Sequence, residues 1–505
     1  MATSEAPALV YSSGPGRWVL AITVLGSGIA AIDATVVNIA LPTIGRQFHT
    51  GIGPLQWVMT GYTLTLAAFL LVGGSLGDRL GRRRVYSIGI VWFALASIAC
   101  GFAPSATFLI VTRVLQGVGA ALLTPGSLAI IEASFVPADR SSAIGAWSGL
   151  GGVATAAGPL LGGYLISAAS WRWIFFINVP IAVFVVVLSA RHVPESRDPG
   201  ATGKIDYAGA LACVAFLTGI SFAFIEAPTL GWTAPSVLAM AIAGAVALVA
   251  LVVRELHAES PMLPLDIFRV KQLAATNAVT FIVYAALVGA TFLLPVELQI
   301  VSGYSPLASG LALLPLTFIM LALSSRSGRL AAQIGPRLQM SVGPVVVGAG
   351  LAMLTLATHG SSYVVYVLPA VLVFGLGLAI TVAPLTATAM NSAPAEHSGI
   401  ASAVNNDVAR IGGLLAVAVL PALAGITGTA YLHPDALAAG FRTAVLISAG
   451  LCAAGGVLAA FTITNPPRAQ RRAVPPAAEC LHCGLEAPPL TTTAGAGSAP
   501  LAAEG

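Results

Sequence analysis

The sequence predicts an all-α integral membrane protein that crosses the bilayer about fourteen times. Three observations carry this. Charged residues make up only 8% of the 505-residue chain while hydrophobic residues make up 57%. The apolar residues fall into runs long enough to span a membrane, and the basic residues between the runs are strongly one-sided.

Composition excludes a soluble fold. A soluble globular chain carries about 25% charged residues, and mean hydropathy here is +0.91. So few charges cannot cover the surface of a sphere of this size, whereas lipid suits them. The 54 glycines and 32 prolines fit the same reading, because membrane helices use Gly for close backbone approach and tolerate Pro kinks. A net charge of +4 gives no sign of nucleic-acid binding.

A bilayer core of about 30 Å needs roughly 20 apolar residues per helix. On that scale the chain shows spans near 18–41, 56–76, 85–103, 107–131, 142–167, 173–190, 207–226, 235–253, 275–297, 307–324, 340–358, 363–390, 400–426 and 441–464. The first run continues well past a signal-peptide core, has no small-residue cleavage context, and reads as a retained helix. Residues 466–505 carry Pro466-Pro467, the basic Arg468, Arg471 and Arg472, and then Ala/Gly/Thr/Pro-rich sequence, which reads as a disordered cytoplasmic tail.

Orientation follows from the excess of Lys and Arg in cytoplasmic loops. With the N-terminus inside, only Arg46, Arg172 and Arg442 of the 23 basic residues fall outside, and Arg113 and Arg410 fall within spans. The remaining eighteen are cytoplasmic, so an even number of spans and two cytoplasmic termini are expected.

Cys100, Cys213 and Cys452 lie in apolar runs as small core residues. Cys480 and Cys483 form a lone Cys-Leu-His-Cys without the second pair that a zinc site needs, so no metal and no cofactor is expected.

Residues 74–85 read Gly-Ser-Leu-Gly-Asp-Arg-Leu-Gly-Arg-Arg-Arg-Val, between spans two and three. This resembles the signature loop of the major facilitator superfamily. Gly74 and Gly77 allow close helix contact, Gly81 suits a tight turn, and Asp78 with Arg79 and Arg82 would latch across the gap between two half-bundles in one access state. The plainer reading is that the arginines only fix topology. A degenerate copy at 328–337 keeps Gly328, Gly335 and Arg337 and lacks the acid, as expected of a fold built from repeats.

Span four carries Arg113-x-x-Gln116-Gly117. A buried Arg needs a partner or a watery cavity; the family resemblance associates this Arg with proton transfer, and a hydrogen bond to backbone is the alternative. Span five ends its glycine-rich stretch in Gly158-Pro159-x-x-Gly162-Gly163, similar to the motif of drug antiporters in the superfamily, with Ala154 where the family usually has Gly. Ile32-Asp33-Ala34-Thr35 through Pro42, Trp171-Arg172-Trp173 through Pro180, Gln56-Trp57 with Tyr62, and Asp206-x-x-Gly209 resemble the fourteen-helix drug:proton antiporters over about residues 17–465. The resemblance implies a major facilitator fold. Two six-helix bundles (18–190 and 275–465) would flank a 191–274 segment with two inserted helices, after a cytoplasmic N-terminus at 1–17.

Intramembrane acids are functional candidates. Asp33 is the first for proton coupling, with Arg113 tuning it; a structural helix-to-helix hydrogen bond is the other reading. Glu226 is read as interfacial. Glu297 faces either the cavity, where it would take part in coupling, or the outer headgroups. Asp407 either joins the coupling or, one turn from Arg410, pairs locally with it. Trp57, Tyr62, Trp147 and Phe292 are the candidates for lining a substrate cavity, and the acids favour cationic or neutral amphipathic compounds.

The expected activity is therefore proton-coupled export of amphipathic compounds, drugs or antibiotics, by alternating access. The expected partners are the small-molecule substrate, protons and the lipid bilayer; a monomer in the plasma membrane, a bacterial inner membrane, is expected. Export of a specific endogenous metabolite, lipid or amino acid, and a non-transporting sensor, are the alternatives. No phosphate-binding loop for ATP and no enzyme motif occurs in the sequence.

Overall fold

A computed structural model describes residues 9–198, 200, 205–258, 265–357, 362–392 and 398–465, with the side chains of 398–400 excepted. The tail at 466–505, with Cys480, Cys483 and its basic cluster, lies outside the described residues, as does Lys204.

Among the described residues, fourteen helices are long and apolar enough to cross a membrane. In chain order they are α1 (Gly14–Phe48), α2 (Ile52–Leu80), α3 (Arg82–Gly101), α4 (Ala106–Ser134), α5 (Pro137–Ala168), α6 (Trp173–His192) and α7 (Tyr207–Leu230). The second seven are α8 (Pro235–His257), α9 (Lys271–Ile300), α10 (Pro306–Ile334), α11 (Pro336–Leu356), α12 (Tyr363–Asn391), α13 (Ala401–Leu423) and α14 (Pro434–Thr462). Each overlaps one span read from the apolar runs; most extend a turn or more beyond it, while the spans read at 85–103, 340–358, 400–426 and 441–464 run past the helix by one to three residues at an end. The extensions are polar helix ends, such as the first turn of α1, where Ser13 caps by accepting from the Gly16 amide at 3.1 Å. Asp206 caps α7 in the same way, accepting from Gly209 at 2.8 Å.

α1–α6 pack into one bundle and α9–α14 into another, while α7 and α8 pair with each other through Gly219 and Gly244. The pair docks at the seam: α7 packs against α2 and α13, one helix from each bundle. Trp57 of α2 donates to Glu226 Oε1 of α7 at 3.1 Å, and its ring faces Phe222.

The two bundles meet at the end of the molecule that carries the α1–α2 loop. Asn38 donates to the Thr291 carbonyl at 3.1 Å, Gln299 to the Ile39 carbonyl at 2.9 Å, and Gln56 to the Val417 carbonyl at 2.6 Å. The Ile52 amide bonds the Gly428 carbonyl at 2.8 Å, and Tyr431 donates to the Thr50 carbonyl. An apolar core runs beneath them from Val36, Ile44 and Leu55 to Leu294, Leu420 and Phe441. At the opposite end, Gly145, Gly149, Gly151 and Gly152 of α5 face open space.

The repeat proposed from sequence has a backbone counterpart. Gly81 joins α2 to α3 at φ +117°, and Gly335 joins α10 to α11 at φ +90°. Only glycine adopts this region without strain, so both bundles turn the same corner with the same residue.

Candidate functional site

The most completely buried charges in the first bundle meet at one point. Asp33 of α1 is 1% exposed and Arg113 of α4 is 0% exposed. Arg113 Nη1 donates to Asp33 Oδ2 in a short ion pair. Asp33 Oδ1 accepts from Gln116 Nε2 at 2.9 Å and from Asn178 Nδ2 of α6 at 3.3 Å. Gln116 and Asn178 both donate to Ser97 Oγ of α3, at 2.7 and 3.2 Å. Four helices thus contribute to one polar cluster inside an apolar bundle.

Arg113 has three further contacts. Gln116 Oε1 accepts from Nη1 at 2.7 Å, the Val58 carbonyl accepts from Nε at 3.2 Å, and the guanidinium lies 4.2 Å from the centre of the Tyr62 ring. Nη2 has no hydrogen-bond partner. The spacing explains the geometry: Arg113 and Gln116 are one turn apart on α4, so both reach the same Asp33. A charge pair this deep is tolerated only with good geometry and satisfied neighbours, and removing one partner typically costs about 3–5 kcal/mol. Between the two sequence readings of Arg113, the structure gives it both a carboxylate and a backbone carbonyl.

The signature loop forms a second cluster, at the end carrying the α2–α3 loop. Asp78 accepts from Arg82 Nε at 2.9 Å, and Arg79 lies in the last turn of α2. The partners of Asp78 in this structure come from the first bundle and the connector behind it: its carbonyl accepts from the Asp198 amide at 2.9 Å. That connector is a strap over the loop. Ser196 O accepts from the Arg82 amide at 2.9 Å, and Glu195 accepts from the Arg83 amide at 3.1 Å while pairing with its side chain at 3.6 Å. Glu195 went unnoticed in the sequence because a single acid among loop arginines has no distinguishing pattern. Gly74 needs correction as a close-contact glycine: a Cβ there would sit 3.7 Å from Pro125, in ordinary contact, whereas at Gly73 it would strike the Ala121 carbonyl. The close approach of α2 to α4 falls one residue earlier, on the face that points at α4.

The glycines of α5 divide by position. A Cβ on Gly158 would strike Thr35 of α1, one on Gly162 would crowd Val36, and one on Gly163 would lie 2.6 Å from the Pro306 carbonyl at the start of α10. The motif therefore seats α5 between both bundles. Pro159 has no N–H for the Thr155 carbonyl, and Thr35 Oγ1 lies 3.4 Å from that oxygen, in place to donate.

The other candidates are scattered. Glu297 is 1% exposed near the α1–α2 end; Ser302 donates to its Oε1 at 3.4 Å, and Oε2 has no partner. Asp407 and Arg410 do not form the local ion pair expected from their i, i+3 spacing: among the described residues no ion pair includes either, and Asp407 Oδ1 is buried without a partner. Of the lining candidates, Tyr62 is taken up by Arg113, Trp57 by α7, and Trp147 donates to Ser27 Oγ of α1 at 3.0 Å. Phe292 is 1% exposed in the core between the bundles. Among the described residues no group of three or more His, Cys, Asp or Glu is arranged to hold a metal ion.

A two-bundle fold with a buried Asp–Arg pair and a signature loop can be compared with known proteins. The family model of the Major Facilitator Superfamily matches residues 23–417. The chain belongs to that superfamily. It is 36% identical over 416 residues to the multidrug resistance protein Stp of Mycobacterium tuberculosis, covering 82% of this chain and 77% of that one. It is 34% identical over 420 residues to the tetracenomycin C resistance and export protein of Streptomyces glaucescens, covering 83% and 78%. Among solved structures, a bacterial homolog of the human lysosomal transporter Spinster, in an inward-facing and unoccupied conformation, shares the fold. Its TM-score is 0.63 at 18% identity, over 90% of this chain and 98% of that one. This facilitator is accordingly a multi-pass membrane transporter rather than an enzyme.

Proposed function

We propose that this facilitator is a proton-coupled exporter that exchanges protons for amphipathic organic compounds, drugs or antibiotics among them, by alternating access. The observation that carries the reading is the Asp33 cluster: a carboxylate with an arginine and two amides, buried where a scaffold needs no charge. Protonation of Asp33 removes the charge that gathers Arg113, Gln116 and Asn178 from three helices. The cluster then has two arrangements, which is what a bistable coupling element requires. The names of the two relatives, a multidrug resistance protein and an antibiotic export protein, support export and a substrate of this kind.

The two bundles correspond to 18–190 and 275–465, with 191–274 as connector and inserted pair. Both termini lie in the cytoplasm of a bacterial inner membrane, by the one-sided arginines. With the bundles joined at the α1–α2 end, the described state opens to the cytoplasm, and the Asp78–Arg82 latch waits on the open side. Asp78, Arg79 and Arg82, with the Gly81 turn, close on the second bundle in the other state, while Gly158, Pro159, Gly162 and Gly163 form the pivot between α1 and α10. Glu297 and Asp407 are the acids of the second bundle available to further protons. One chain encloses one pathway and works as a monomer.

The deciding measurement is ethidium efflux from vesicles under an imposed pH gradient. Wild type should show gradient-dependent efflux. Asp33→Asn, folded and inserted, should show none; undiminished gradient-driven efflux in that variant overturns the assignment.

A further inference from the structure

The turn between α1 and α2 is completed by the other bundle. His49 caps α1 at φ +49°, and α2 starts after Gly51 without a side-chain cap. A helix start leaves free amides that need acceptors. The Ile52 amide donates to the Gly428 carbonyl at 2.8 Å, and Gly428 belongs to the α13–α14 loop of the second bundle. That loop bends through two glycines at positive φ, Gly425 at +73° and Gly428 at +53°. The approach is close: a Cβ on Gly51 would lie 2.9 Å from the same carbonyl oxygen.

Three residues further on, Tyr431 crosses the same boundary. It is 0% exposed, and its hydroxyl donates to the Thr50 carbonyl at 2.9 Å. Its seat is cut into α1: a Cβ on Gly45 would strike the hydroxyl and stand 3.1 Å from Cζ. The ring joins the apolar core that Ile44 and Leu55 share with Phe441. The ties from Asn38, Gln299 and Gln56 are hydrogen bonds between facing helices. Tyr431 differs from them, because a bulky side chain of one bundle is seated in the other. The bundles cannot part at this end until it is drawn out.

We propose that the α13–α14 loop is a lock on the outer face, with the Tyr431 side chain seated at Gly45, and that its withdrawal admits the outward-open state. This rests on the alternating-access reading and adds to it a named release, at the opposite end from Asp78 and Arg82. The chemistry of the seat suits a contact that is made and broken in every cycle. The buried ring holds the closed state by its apolar area. Its hydroxyl exchanges the Thr50 carbonyl for water once the loop swings out, so no polar group is left unsatisfied. The withdrawn side chain is neutral, and no charge has to leave an apolar seam.

The test measures the distance between spin labels on the full chain in lipid nanodiscs. The labels sit on Arg46→Cys at the end of α1 and Ala436→Cys in the first turn of α14, both exposed. Cys480 and Cys483 are replaced by Ser, and Cys100, Cys213 and Cys452 are buried. Without a gradient the otherwise native chain should give mainly the short, locked distance. Tyr431→Phe keeps the ring and loses one hydrogen bond, and should raise the long-to-short ratio about fivefold. Gly45→Ala should raise it further, because its methyl blocks the seat. In the double variant the hydroxyl is gone and the methyl meets Cζ at 3.1 Å, so the pair should open less than Gly45→Ala alone. Unchanged distances in both single variants, or a double variant as open as Gly45→Ala, overturns the proposal. A merely structural contact would lower thermal stability and leave the distances unchanged. Ethidium efflux separates the two readings: the distance shifts without gradient-driven efflux keep the lock and remove the exporter, and efflux without the shifts does the reverse.

Discussion

The two bundles turn the same corner at Gly81 and Gly335 but treat buried polarity in opposite ways. In the first, Asp33 and Arg113 neutralise each other within a net of Gln116, Asn178 and Ser97, and both ions are sealed from solvent. In the second, the corresponding interior holds neutral groups: Asn405 donates to Asn277 Oδ1 at 2.9 Å and to Thr280 Oγ1 at 2.8 Å. Its charged residues, Glu297, Asp407 and Arg410, have no ion-pair partner among the described residues. A related architecture thus carries a hydrogen-bonded ion pair in one bundle and, among these three residues, no ion pair in the other. The first arrangement satisfies its charges within the bundle; the second leaves these three groups without an ion-pair partner among the described residues.

The sharpest way to break this contrast is to remove one arginine from each bundle. Arg113→Met strands a buried carboxylate and should lower thermal stability by about 3–5 kcal/mol. Arg410→Met breaks no ion pair among the described residues and should cost less, about 1 kcal/mol. Unfolding of the purified variants in detergent measures both, and equal losses would erase the distinction. The two corners give the next largest effect. Gly81→Ala and Gly335→Ala should each cost about 1–3 kcal/mol, because the β-carbon cannot follow the positive φ. A loss at only one of them would mean that the corners are not equivalent. Gly163→Val should pry α5 from Pro306 and widen the α1–α2 end, read as reduced cross-linking between cysteines introduced at 164 and 307. Intact cross-linking would place the pivot elsewhere. The smallest effect belongs to the inserted pair. Trp57→Phe loses one hydrogen bond to Glu226, worth about 1–2 kcal/mol. It should loosen α7 as seen by faster amide exchange in that helix alone.

The membrane spans were legible because hydropathy is a property of each run by itself. Each of the fourteen has a span read from sequence, and the differences lie at the ends: helices such as α1 at Gly14–Phe48 outlast their apolar core, and the spans read at 85–103, 340–358, 400–426 and 441–464 carry apolar loop residues past the helix. Asp33 and Arg113 were legible as candidates because charge in a span is rare. Their companions were not: Ser97 and Asn178 are neutral residues of ordinary kinds, and nothing in their spacing marks them.

The sequence by itself therefore determined that this chain lives in lipid, how often it crosses, and which residues resemble those of a drug-exporting facilitator. Solvent transfer and motif spacing are local, and they survive reading one residue at a time. Tertiary structure alone decided who pairs with whom. Asp33 and Arg113 stand 80 positions apart and meet, while Asp407 and Arg410 stand three apart and do not. Proximity along a helix fixes only a distance around its axis, and the neighbours packed on each face decide whether two charges turn toward each other or away.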